Sequence, residues 1–260
     1  MEREGGILRT SSPATLAGLL AAIMVAWGLV MWPAMTMHTG SMHSGLVHLM
    51  MPGTAVWTPT NVAAVFAMWS VMMAAMMLPG AVPMVLLYRQ LVARRQPEVA
   101  RRRSILFTSA YLVAWAGYSI AATGMQWGLQ AGLVLSPMGV LTSPWVAATL
   151  LLTAGVYQLT GFKDACLTKC RSPFGFLMSA WRDGDRGAML MGLKHGSWCI
   201  GCCWALMVLA FVGGTMNLAW MALLTLLVTA EKVAPFGATI SRFTGILLIG
   251  GAAYFVLLAV

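Results

Sequence analysis

The side chains able to do chemistry here are mostly sulfur donors, and they are clustered. All five cysteines lie between positions 166 and 203. Cys166 and Cys170 are four apart, and beyond them comes His195-Gly-Ser-Trp-Cys199-Ile-Gly-Cys202-Cys203. On a helix turning about 100° per residue, His195 at 0° puts Cys199 near 40°, Cys202 near −20° and Cys203 near 80°. Four soft ligands then share a stripe roughly 100° wide, and Met191 joins it. One helix cannot surround an ion with its own side chains, so a site here needs a donor from another segment. Three other uses of the sulfur stay open. Cysteine packs as a small apolar residue, Cys199-x-x-Cys202 has a thiol oxidoreductase spacing, and zinc takes thiolate and imidazole ligands. Five cysteines cannot all pair as disulfides.

The 22 methionines are also sorted. Between Met31 and Met51 the chain holds six of them and three of its four histidines, with no charged side chain. Met37, His38, Met42, His43 and His48 are candidate ligands. Thioether and imidazole favour copper, thioether selects the cuprous ion, and hard ions want the carboxylates this stretch lacks. A bland alternative is an apolar loop on the membrane with methionine filling gaps. Further on, Met72, Met73, Met76 and Met77 form two adjacent ridges at four-residue spacing. Pro79 and Pro83 follow, and are expected to bend or break that helix at a cavity or protein contact. Glu231 is the one acid expected within a span. It is either a proton or metal partner, or simply the ion-pair partner of Lys232 beside it.

The elements that carry these residues follow from composition. Of 260 residues, 60% are hydrophobic and 9% charged, against about 25% charged in soluble domains. The expected fold is an all-α polytopic transmembrane bundle of about seven spans, near 14–32, 61–88, 104–127, 145–162, 188–212, 216–233 and 243–260. Residues 1–60 form an anchor helix and outer Met/His loop, and 61–260 the metal-binding bundle. Gly124, Gly128 and Gly132 make a small-residue stripe expected to pack helices. A short helix is expected within 172–187, lying in the inner interface. All 16 Lys and Arg fall on one set of connections, which orients the amino terminus to the cytoplasm. The net charge of +9 therefore reads as topology and contact with anionic lipid, and nucleic acid is not an expected partner.

Assembled, these residues resemble a bacterial family of predicted metal-binding integral membrane proteins that includes a membrane copper chaperone for tyrosinase. The resemblance spans about residues 61–251. It rests on Met72-Met73-x-x-Met76-Met77-x-Pro79, Tyr157-Gln-Leu-Thr160, Lys163-x-x-Cys166-x-x-x-Cys170-Arg-Ser-Pro173 and Trp181-Arg182. It continues through His195-Gly196-x-x-Cys199-x-Gly-Cys-Cys-Trp204, Gly214-x-Met-Asn217-x-x-Trp220-Met221 and Glu231-Lys232. The resemblance implies copper binding and delivery, with a copper-dependent enzyme or other copper-handling protein as recipient, in a bacterial inner membrane.

The expected function is thus capture of copper and its delivery to an enzyme or across the membrane, with Cu(I) the first choice of ion and zinc the second. No His-Glu-x-x-His, Gly-x-Ser-x-Gly or phosphate-binding glycine loop occurs, which argues against a hydrolase or an ATP-driven pump. An intramembrane thiol-disulfide oxidoreductase is the enzymatic alternative. A structural or assembly subunit is the third.

Overall fold

A computed structural model describes residues 13–38, 49–52, 56–136 and 139–259, and of residues 36–38 the backbone alone. Among these residues the secondary structure is helical, apart from one isolated bridge between Leu135 and Leu141. Helix α1 runs Pro13–His38. Helix α2, Pro59–Arg95, starts on a reciprocal cap: Asn61 N–H donates to the Thr58 hydroxyl, and Thr58 N–H donates to the Asn61 side chain. Pro59 occupies the first turn, where no N–H is needed. Helix α3, Pro97–Ala131, follows after the single residue Gln96, which the proline after it keeps out of the helical conformation.

The fourth expected span is not one rod. Helix α4, Pro144–Gln158, ends before Leu159, and Thr160 caps a new helix, α5, Gly161–Arg171, by accepting the Lys163 N–H. The two axes meet at 65°. Helix α6, Pro173–Ala180, is the short helix expected in this region. Helix α7, Gly184–Val208, continues through the single turn α8, Ala210–Gly213. Helices α9, Leu218–Val233, and α10, Gly237–Ala259, complete the chain.

Packing puts α2 and α7 at the centre. Their apolar windows are 61% buried, against 17% for α1 and α10. Glycine lets α7 reach α3: a Cβ on Gly192 would run into the Phe107 carbonyl and stand 3.0 Å from the Ala110 Cβ. One on Gly196 would come within 2.5 Å of the Ala114 Cβ. The stripe at Gly124 and Gly128 behaves differently from the expectation, since added Cβ atoms there meet nothing. Helix α2 stays one helix through both Pro79 and Pro83. Helices α1, α3, α6 and α9 pack against it, and Met72, Met73 and Ala75 to Leu78 are buried.

Five helices among the described residues are long and apolar enough to cross a membrane, or six if α4 and α5 form one bent span. The remaining expected span is α9, with 16 residues, about 24 Å at 1.5 Å per residue against a bilayer core of about 30 Å. Large apolar side chains such as Val113, Ile120, Leu226 and Leu247 face outward, each more than half exposed. Surfaces of this kind are compatible with lipid as the solvent.

Candidate metal centre

Helix α7 brings Cys199, Cys202 and Cys203 together, because spacings of three and four close one helical turn. Their sulfurs lie within 4.8 Å of one another, and all three side chains are buried. Two of the thiols fold back on their own helix. Cys203 Sγ donates to the Cys199 carbonyl at 2.9 Å, and Cys202 Sγ to the same oxygen at 3.1 Å.

Four other helices supply the surroundings. From α5, Cys170 Sγ stands 3.8 Å from Cys202 Sγ. From α2, Met77 Sδ lies 3.7 Å from Cys203 Sγ. From α9, Lys232 Nζ reaches Cys199 Sγ at 3.0 Å and Met77 Sδ at 3.7 Å. From α3, the Tyr111 hydroxyl donates to the Met77 carbonyl at 3.1 Å and is also 3.1 Å from Cys199 Sγ. Gly80 makes the lysine's route possible, since a Cβ there would be 3.0 Å from Lys232 Cδ. The result is a soft-donor cluster with one cation and one hydroxyl at its edge. Such a donor set suits a soft metal ion such as copper.

The remaining sequence candidates divide. Cys166 is buried but abuts the other flank of α7, where its sulfur would be 2.8 Å from a Cβ on Gly201. His195 is outside the three-sulfur group. Its ring lies 5.5 Å from Tyr111, 5.4 Å from Phe176 and 6.1 Å from Phe107, centroid to centroid, and its buried Nδ1 has no hydrogen-bond partner. Met72, Met73 and Met76 are buried on α2 with Met77. Met37 and His38 end α1, with side chains outside the description, and Met42, His43 and His48 lie outside the described residues.

Glu231 takes a different partner from the one its neighbour suggests. Its carboxylate accepts from Lys163 Nζ at 2.7 Å and from Gln158 Nε2 at 2.8 Å. Lys163 and Glu231 are both buried, so this ion pair clamps α9 to the broken joint between α4 and α5. Lys232, freed from Glu231, goes to the thiols. Sequence reasoning missed Lys232, Tyr111 and Lys163 as members of this constellation. A lysine one residue from the end of an apolar segment was a signal for Lys232. For Tyr111 there was none, because its role depends on which face of α3 meets α7.

No curated protein and no solved structure matches the chain. A family model described as PpoB2, copper chaperone, matches residues 66–255. That segment is most of the chain and contains all five cysteines, the α2 methionines from Met68 onward and the Lys232 partner. The buried three-thiol cluster at its heart is of a kind that binds copper, and the chain belongs to the PpoB2 copper-chaperone family.

Proposed function

We propose that this protein takes up copper as the cuprous ion on the outer side of a bacterial inner membrane, holds it at Cys199, Cys202 and Cys203, and delivers it to a copper-dependent enzyme. One observation carries the reading: three buried thiols converge within 4.8 Å, with the Cys170 thiol and the Met77 thioether adjoining. In this reading His38, His43 and His48, with Met37 and Met42, capture the ion. Met72, Met73, Met76 and Met77 carry it inward by exchange of one thioether for the next. Thiolate binds more tightly than thioether, so the ion comes to rest at the cysteines. His195, with its unpartnered Nδ1, is the next donor one turn along α7. Cys166 backs the same helix. Glu231, engaged by Lys163 and Gln158, braces the site.

The accompanying topology has seven crossings, with α4 and α5 as one broken crossing and α9 as a short one. The amino terminus is cytoplasmic. The support is that the exposed basic residues, among them Arg94, Arg95, Arg101, Arg102, Arg182 and Arg242, fall at the ends this arrangement puts inside, where they also meet anionic lipid, while Lys163 and Lys232 are buried.

A thiol oxidoreductase has its own favouring observation in the Cys170–Cys202 sulfur separation of 3.8 Å. Copper loading under anaerobic conditions, followed by metal analysis, separates the two. Wild type is expected to retain stoichiometric Cu(I), and the C199S/C202S/C203S variant to lose it. A wild type that stays copper-free after loading overturns the proposal. If it also forms a Cys170–Cys202 disulfide on mild oxidation, the redox reading replaces it.

A further inference from the structure

A second group of sulfur donors lies apart from the thiols. Between α1, α2 and the connection from α8 to α9 is a cavity of about 190 Å³. Met50, Met68, Met72 and Met216 line it, drawn from three separate chain segments, with Trp32 and Thr215 beside them. Four of its eleven lining residues are methionine, against 22 of 260 in the chain. Methionine also fills irregular gaps, but four thioethers facing one uncharged space supply the donors that a soft ion takes. The lining holds no charged side chain.

The adjoining thioether of Met51 is held in place. Its Sδ accepts from Gln126 Nε2 at 3.7 Å and from the Thr215 hydroxyl at 4.0 Å, while Trp69 Nε1 fixes Gln126 at 2.7 Å. Met50 follows His48 by two residues in the chain. From Met72, the buried methionines of α2 continue to Met77, whose sulfur touches Cys203. Met68 to Met77 is about 14 Å along the helix axis at 1.5 Å per residue.

We infer that this cavity is a thioether acceptance site for a monovalent soft cation, Cu(I) in function and Ag(I) as its redox-inert analogue. This rests on the copper reading above and deepens it. Lacking any anionic donor, the cavity leaves a bound ion's charge unbalanced, so binding is weak and exchange fast. The same lack excludes divalent ions, whose larger charge would need carboxylate or thiolate compensation. The site therefore filters by charge and softness before the ion reaches the thiols. The step is ligand exchange without change of oxidation state.

The experiment uses full-length protein in detergent, titrated with Ag(I) against a competing chelator. With all five cysteines changed to serine and His38, His43 and His48 changed to alanine, one weakly held Ag(I) is expected to remain, and adding M50L/M68L/M72L/M216L should abolish it. These Met-to-Leu changes nearly conserve volume, and thermal unfolding checks that the fold survives. With the cysteines intact, the same four leucines should slow loading of the thiols at least tenfold while leaving their final occupancy unchanged. Residual Ag(I) that persists through the Met-to-Leu changes, or a thiol-free protein that binds none, overturns the inference. Failure of the main proposal looks different: it is an intact protein whose thiols never load.

Discussion

Lys232 sets the charge of the centre. A cuprous ion held by several thiolates carries net negative charge, and in a buried site that charge is costly unless it is balanced nearby. An ammonium 3.0 Å from Cys199 Sγ supplies the balance. Lys232→Met is therefore expected to weaken Cu(I) affinity at least about tenfold, about 1.4 kcal/mol. Lys232→Arg should keep part of it. Chelator competition measures both, and an unchanged affinity in the methionine variant would show that the lysine is only packing. The cysteine stripe itself was legible in the sequence, because one helical periodicity fixes it. Lys232 was not, since pairing it with Glu231 is the obvious local choice. Only the register of α9 against α5 and α7 sends Glu231 to Lys163 and Lys232 to the sulfur.

Among the elements, α7 is placed by two glycines. Gly192 and Gly196 let α3 approach until no Cβ fits between them, and this brings Tyr111 to Cys199. Gly192→Val should cost at least about 2 kcal/mol through overpacking and reduce copper retention in the same variant. Thermal unfolding beside metal analysis checks it, and unchanged values on both would mean that α3 does not position the site. Long helices could be read from hydropathy, as could the start of α2 and the end of α10, but α2 runs seven residues past its expected end and α10 starts six residues before its expected start. The break at Leu159 and Thr160 could not. Thr160 and Gly161 are compatible with a continuous apolar helix, and the bend is fixed by the Thr160 cap and the clamp between Lys163 and Glu231. The glycine stripe erred in the opposite sense, since spacing alone does not say whether a neighbour is present.

At the scale of the whole molecule the testable quantity is sidedness. Leu133 is 84% exposed on the connection after α3, and Gln96 is exposed on the turn before it. With a membrane-impermeant maleimide on intact cells, Leu133→Cys should label at once and Gln96→Cys only after permeabilisation. The reverse pattern would invert the proposed path of the ion. All-helical architecture and lipid-compatible surfaces followed from composition, while the arrangement of the rods around α2 and α7 needed contacts between segments far apart in sequence.

The 65° joint between α4 and α5 leaves the centre with two mechanical parts. Cys199, Cys202 and Cys203 ride on a single rigid rod, so their mutual spacing is indifferent to how other helices sit. Cys170 rides on an eleven-residue arm. The gap between Cys170 and Cys202, 3.8 Å here, is thus a gauge of the arm's orientation alone. A pair of probes or a cross-linker across those two sulfurs would read that angle directly, with the three-thiol set as its fixed reference.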